Sequence, residues 1–222
     1  MLVKTDKLYA LTLIVVIGVA MAAGIILLPH NERNSNTQIF LHSNGLELLL
    51  SINSSDIKQG GSIAVNISLI NTLHSVNLVS AGHSWIISYV SLGPCNNMNY
   101  PMGIAVFRGY YTYSNVSNAK NPLMIFPHTL CPLFIVYIRA YQFYPYGSSV
   151  SGEGGLVNGT YYVNSYIMSK TFIISGYYVR QGSTNSSTNS VPIVFNQFNP
   201  GVYTVVGADE WGGLVILHFY VN

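Results

Sequence analysis

Asp209 and Glu210 stand side by side ahead of Trp211 and Gly212, the densest polar cluster in the second half of this 222-residue chain. Two carboxylates could share acid/base work, or the loop Asp209-Glu210-Trp211 could contact a ligand or partner. Adjacent residues on a strand point to opposite faces, and these lie in an expected hairpin turn. A structural turn with Trp211 capping the fold is therefore the stronger reading. A second candidate chemistry is copper, for which His74, His83, Cys95, Met98, Met102, His128 and Cys131 could supply ligands. A blue-copper site needs two His, one Cys and a weak axial ligand. His128-Thr129-Leu130-Cys131 is the tight pair, but neither His nor Met closely follows Cys131. No metal site or cofactor is therefore assigned. His218 sits in an apolar strand and is expected to bond a backbone carbonyl. Arg108 and Arg139, which could pair with Glu153 or Asp209, are read as solvent-facing. The sequence has no G-x-S-x-G elbow, P-loop or strand-following G-x-G-x-x-G, so the reading leans away from an enzyme.

Other residue types speak of address. Residues 8–28, LYALTLIVVIGVAMAAGIILL, carry no charge, and as a helix they would rise roughly 30 Å, the thickness of a bilayer core. Lys4 and Lys7 precede them and the polar run His30–Gln38 follows. Basic flanks stay cytoplasmic, so the expected arrangement is a cytoplasmic stub at 1–7, a single-pass anchor at 8–28, a linker at 29–44 and an extracellular domain at 45–222. Ala20-Met21-Ala22 fits a small-x-small cleavage pattern, so a signal sequence stays open as the alternative. Five N-x-S/T sequons follow this segment, at Asn53, Asn66, Asn115, Asn158 and Asn185, and are expected to be glycosylated. In an oxidising exterior Cys95 and Cys131 are expected to form a disulfide. It would close a loop of about 37 residues and stabilise by roughly 4 kcal/mol in the chain-entropy model.

The elements that must position these residues read as strands. Leu46, Leu48, Leu50 and Ile52 share one face of Leu46–Ile52. In Ser62–Ile70, Ile63, Val65, Ile67 and Leu69 alternate with polar or small residues, which puts Asn66 on the outer face. Further strands are expected at Ser84–Val90, Gly103–Phe107, Leu133–Phe143, Thr171–Val179, Val202–Val206 and Leu214–Val221, with a turn at Gly207–Gly213 making the last two a hairpin. Leu214–Val221 is apolar on both faces, as a central strand would be. The stretches Gly147–Gly155 and Gln181–Ser190 are polar and low in complexity. Residues 91–131 read as a large insertion pinned by the disulfide. Tyr110-Tyr111-Thr112-Tyr113 and the aromatic run Tyr141–Tyr146 could bind sugar or a partner, and strand packing explains them at least as well.

These strands predict an all-β fold, an antiparallel sandwich of about eight or nine strands. The Gly-turn strand over Gly45–Val79 and the closing Asn199-Pro200-Gly201-Val202-Tyr203-Thr204 resemble immunoglobulin-like exported domains and the intracellular proteinase inhibitor family. The whole chain, rich in Tyr, Asn, Ser and Thr, also resembles exported Ig-like β-sandwich proteins of thermoacidophilic archaea of the Sulfolobus group. That resemblance implies an address and no activity. Only 7% of residues are charged, against about a quarter in ordinary soluble domains. A surface that does not rely on ionised carboxylates suits a protein that stays folded in acid. A net charge of +2 without any Lys/Arg cluster excludes a nucleic-acid partner. The expected partners are the membrane and another envelope or membrane protein. The expected function is a membrane-anchored interaction or structural module of the cell envelope, for instance an accessory subunit of a membrane complex. The alternatives are an exported filament subunit that adds Gly24–Leu28 and Ile39–Leu41 as a donor strand, and a cupredoxin-like electron carrier.

Overall fold

The computed structural model describes residues 36–87, 89–93, 100–127, 138–148, 155–157, 160–165, 167–181 and 193–222. The anchor segment 8–28, the stub 1–7, Cys95, Cys131, Met98, His128, Glu153 and the sequons at Asn158 and Asn185 lie outside the described residues, as does most of both low-complexity stretches.

The domain is all-β and built mainly of antiparallel sheets, compatible with a sandwich. In chain order the strands are β1 (Thr37–Leu41), β2 (Leu46–Ile52), β3 (Asp56–Ile57), β4 (Ile63–Asn71), β5 (Asn77–Ser80), β6 (Met102–Arg108), β7 (Ala140–Phe143), β8 (Gly155–Val157), β9 (Thr160–Ser165), β10 (Ile167–Ile174), β11 (Gly176–Arg180), β12 (Ile193–Gln197), β13 (Gly201–Asp209) and β14 (Leu214–Val221). Two four-stranded sheets carry the core, one in the order β1-β2-β4-β10 and one in the order β3-β14-β13-β6. A third sheet, β5-β7-β9-β8, contains one parallel pair, and β11 with β12 forms a separate hairpin.

The alternation in β2 and β4 produces the core directly. Leu46, Leu48, Leu50, Ile63, Val65, Ile67 and Leu69 are wholly buried. They meet Tyr203, Val205, Val215, Leu217, Phe219, Ile104 and Val106 from the facing sheet in one cluster. Burying each such side chain contributes about 1.5–3 kcal/mol. The outer face of β6-β13-β14 is covered as well. Ala105, Phe107, Val206, Ala208, Leu214 and Ile216 pack under Ile87, Val90, Val116 and Ala119. This second, smaller core is why β14 is apolar on both faces.

Several expectations need correction. The stretch 29–44 is not wholly linker, because Thr37–Leu41 pairs with β2 from Thr37↔Ser51 to Leu41↔Glu47. Its short, mostly exposed strand offered no alternation to read. The described part of 84–90 is irregular, and its apolar residues plug the second core instead of forming a strand. Thr171–Val179 breaks at Ser175, where β10 ends before β11 begins. Residues 91–131 are not simply an insertion, since Met102–Arg108 is a core strand paired with β13 along seven residues. Gly207 is not in a turn. It lies inside β13, where a Cβ would meet Val215 Cγ2 at 2.9 Å and Ile67 Cδ1 at 3.1 Å, so core packing demands a glycine.

The start of β13 carries one defined corner. Tyr203 is fully buried, its ring stacked on Phe219 at 5.1 Å, and its hydroxyl donates to the Asn199 carbonyl at 2.8 Å. Tyr203→Phe removes that donor and is expected to cost about 1–2 kcal/mol, read as a lower urea midpoint with an unchanged m-value.

Candidate functional site

The β13–β14 turn is where distant segments converge. Asp209 ends β13 on the core-facing side and is completely buried. Its Oδ1 accepts from the backbone N–H groups of Trp211 (3.0 Å) and Gly213 (2.8 Å). Its Oδ2 accepts from His42 Nε2 at 2.6 Å, with the His42 side chain 7% exposed. Gly213 is obligatory here, because a Cβ would lie 2.7 Å from His42 Nε2 and closer still to the Asp209 carboxylate. His42 follows β1 directly, and its ring meets Phe40 edge-on. The carboxylate thus ties the end of the first strand to the last hairpin.

Glu210 points elsewhere. Its Oε1 accepts from Gly82 N–H at 2.8 Å, its carbonyl from Ser84 N–H at 2.8 Å, and its N–H donates to Pro101 O. Trp211 Nε1 donates to Ser80 O at 2.8 Å, and its ring packs against Tyr141 and Phe143. The turn therefore caps the exit of β5 through three backbone contacts. The two carboxylates diverge, one toward His42 and one toward Gly82. Both Asp209 carboxylate oxygens, Glu210 Oε1 and Trp211 Nε1 are bonded inside the chain. Asp209 and Glu210 are buried and Trp211 is half-buried, so the geometry fits a structural turn. Asp209 is held by His42 and backbone N–H groups, not by an arginine: Arg108 on β6 and Arg139 just before β7 are both exposed, as expected.

Burial raises the Glu210 carboxyl from its ordinary 4.5 to about 7, offset in part by the Gly82 N–H and reinforced by the neighbouring Asp209. Burial, and then the Glu210 charge, also raises Tyr141 well above the ordinary phenol range. Between pH 4.5 and 7 the folded chain holds a proton at Glu210 that the unfolded chain releases. This contribution is full below pH 4.5 and lost as pH rises through 7. After partial solvent screening it amounts to on the order of 1–2 kcal/mol. Glu210→Gln is expected to remove most of the difference between urea midpoints at pH 4 and pH 8, chiefly by raising the midpoint at pH 8.

Sequence reasoning missed His42 and Gln38. Gln38 Oε1 accepts from Ile216 N–H (3.0 Å) and from the Tyr113 hydroxyl (2.7 Å), which fastens β1 to β14 across the seam between the sheets. His42 and Asp209 lie 167 residues apart, and no local signal links them. The expectation for His218 is met: its Nε2 lies 2.8 Å from Tyr111 O, and Tyr110 stacks on the ring at 4.0 Å. In the first aromatic run Tyr111 packs against Phe107, whereas Tyr110 and Tyr113 are exposed. In the second, Tyr141 is buried and Tyr146 is 70% exposed.

Among the described residues no group of three or more His, Cys, Asp or Glu side chains could hold a metal. Of the copper candidates they include, His74 and His83 are exposed and Met102 is buried in β6. Among these same residues no helix is long and apolar enough to cross a membrane. Asn53 and Asn115 are exposed in turns, whereas Asn66 lies mid-strand in β4. No protein-family model, curated protein or solved structure matches the chain.

Proposed function

We propose that the chain is a membrane-anchored, extracellular immunoglobulin-like module that contacts another envelope or membrane protein through the outer face of its β1-β2-β4-β10 sheet. The observation that carries the reading is the asymmetry between the two sheets. The outer face of β6-β13-β14 is sealed by Ile87, Val90, Val116 and Ala119. On the outer face of the other sheet, Ile39 is 56% exposed, Leu41 64% and Ile173 79%, with Ser51, Asn66 and Thr171 between them. Apolar side chains spaced among hydroxyls and amides suit a polar-rimmed contact with a protein partner.

Strand order supports the immunoglobulin-like part. Taking β2, β4, β6, β10, β13 and β14 as strands A, B, C, E, F and G, the sheets read A-B-E and C-F-G. The Tyr203 hydroxyl bonded to the carbonyl four residues upstream, at the start of strand F, is the tyrosine corner of such domains. The uncharged stretch 8–28 supports the anchor, and Cys95 and Cys131 remain the proposed disulfide in an oxidising exterior. Donor-strand assembly would require β1 to leave β2 and surrender the Gln38 and His42 contacts.

The test begins with the full chain expressed in cells with an exposed envelope. It should resist alkaline extraction from membranes and be digested by protease added to intact cells. Recovery in the soluble cytosolic fraction would defeat the anchoring part. Crosslinking followed by purification should recover an envelope protein with the parent chain. Ile39→Asp combined with Ile173→Asp should lose that protein with little change in melting temperature. Equal recovery with the double variant would sink the proposed face.

A further inference from the structure

We infer that Asn53 and Asn115 are the described sequons that accept glycan, and that Asn66 stays bare because its amide is a structural cross-link between strands. The inference rests on the extracellular reading for its setting and on the geometry of three amides for its selectivity.

N-glycosylation joins Nδ2 to the anomeric carbon of a lipid-linked oligosaccharide. The C–N bond forms as the bond from that carbon to the lipid phosphate oxygen breaks. Nδ2 gives up a proton, and the lipid phosphate departs. The amide nitrogen must therefore reach solvent, and the sequon backbone must leave any sheet that holds it.

Asn53 meets the first condition, and its sequon is tied to the sheets only by the single bonds Asn53 N–H to Ala64 O and Tyr220 N–H to Ser55 O, not by ladder pairing along both edges. It lies in the exposed turn after β2, and its Oδ1 accepts from Ala64 N–H at 2.8 Å. A backbone N–H can only donate, so the amide oxygen must face Ala64 and Nδ2 must face the other way. The same logic holds at Asn115, which is exposed in the turn that enters the short 3-10 helix Val116–Asn118. Its Oδ1 accepts from Thr112 N–H at 2.8 Å. In both turns one hydrogen bond fixes the amide with its nitrogen outward.

Asn66 has the opposite arrangement, although it too points away from the core. Its Nδ2 lies 2.9 Å from Thr171 Oγ1, 3.1 Å from Ser169 Oγ and 3.4 Å from Lys170 O. Its Oδ1 is bonded to Ser68 Oγ at 3.0 Å, and that hydroxyl, the third residue of the sequon, also meets Ser169 Oγ at 2.8 Å. The carbonyl of Lys170 can only accept, which fixes the nitrogen on that side. The backbone is held on both edges, opposite Ser51 of β2 and Thr171 of β10. Modification at Asn66 would require two strand pairings to open together, a sub-global unfolding event.

The experiment presents the purified full-length chain in detergent to a single-subunit oligosaccharyltransferase and a lipid-linked glycan. The enzyme is chosen to accept synthetic peptides of all three sequons, and occupancy is read site by site by mass spectrometry. Normalised to its peptide, Asn66 in the folded chain should be modified at least roughly tenfold more slowly than Asn53 and Asn115. Urea-unfolded chain, diluted into the reaction, should erase the difference. Modification of folded Asn66 at the peptide rate would overturn the inference, as would refusal at Asn53 or Asn115 when their peptides react. Bare asparagines in protein recovered from its native cell, alongside the expected pattern in vitro, would count against the extracellular reading and leave the accessibility result standing.

Discussion

Asp209→Ala is expected to lower stability by about 3–5 kcal/mol, the largest single effect of any polar substitution in the domain. The carboxylate satisfies Trp211 N–H, Gly213 N–H and the His42 ring at once, and it is fully buried. Truncation strands three donors where water cannot replace the acceptor, each costing on the order of 1–3 kcal/mol with partial relaxation. For a chain of this size the loss corresponds to a fall in melting temperature of roughly 8–15 °C. Asp209→Asn keeps one amide oxygen for the two backbone donors and should cost clearly less. His42→Ala removes one partner, and its effect should not add to that of Asp209→Ala. Thermal and urea unfolding of the single and double variants form the cycle that checks this. A loss below about 1 kcal/mol for Asp209→Ala would show that the turn is held by something other than its carboxylate.

Gly82→Ala should come second, at about 3 kcal/mol. A Cβ at Gly82 would sit 2.8 Å from the Glu210 carbonyl carbon and closer still to its oxygen. These are backbone atoms, fixed in turn by Ser84 N–H and Pro101 O, so no side-chain rotation relieves the clash. Moving the backbone apart would also break the Gly82 N–H bond to Glu210 Oε1. That bond holds the Glu210 carboxyl below where burial alone would put it, so its loss should steepen the fall in stability from acid to neutral pH while overall stability drops. Gly93→Ala is the matched control: nothing lies within 4 Å of its Cβ, and its urea midpoint should stay within about 0.5 kcal/mol of the parent in equivalent stability. Equal midpoints for the two variants would refute the argument.

Much of the all-β fold was legible because pleating is local. Leu46–Ile52 and Leu214–Val221 were read to the residue, and Ile63–Asn71 and Met102–Arg108 to within one or two. In each, the spacing of apolar residues follows from side chains alternating across a strand. Strands without that imprint were missed. β1 is mostly exposed, and β12 is exposed or half-buried along its length. The Ser84–Val90 error has the same root in reverse: its apolar residues are buried by the tertiary fold without being extended.

The site shows the same division. That Asp209-Glu210-Trp211 would close a turn could be read from residue types. That Asp209 would reach His42 and Glu210 would reach Gly82 could not, because those partners lie 167 and 128 residues away. Gly207 was misread for a related reason: glycine marks turns locally, and only Ile67 and Val215 pressing on it show that here it makes room in a core. The facing of Asn66 was a local property and was read correctly. The engagement of its amide depends on β10 lying alongside, more than a hundred residues later.

By itself, then, the order of residues determined which segments pleat, which faces turn inward, and which 21-residue stretch carries no charge. Tertiary structure alone decided which strands became neighbours, what sealed the second face of β14, and where each buried polar atom found its partner. The physical reason is range. Alternation and turn chemistry act over a few residues, whereas a hydrogen bond or a packed glycine is chosen by whatever the completed topology places a few ångströms away.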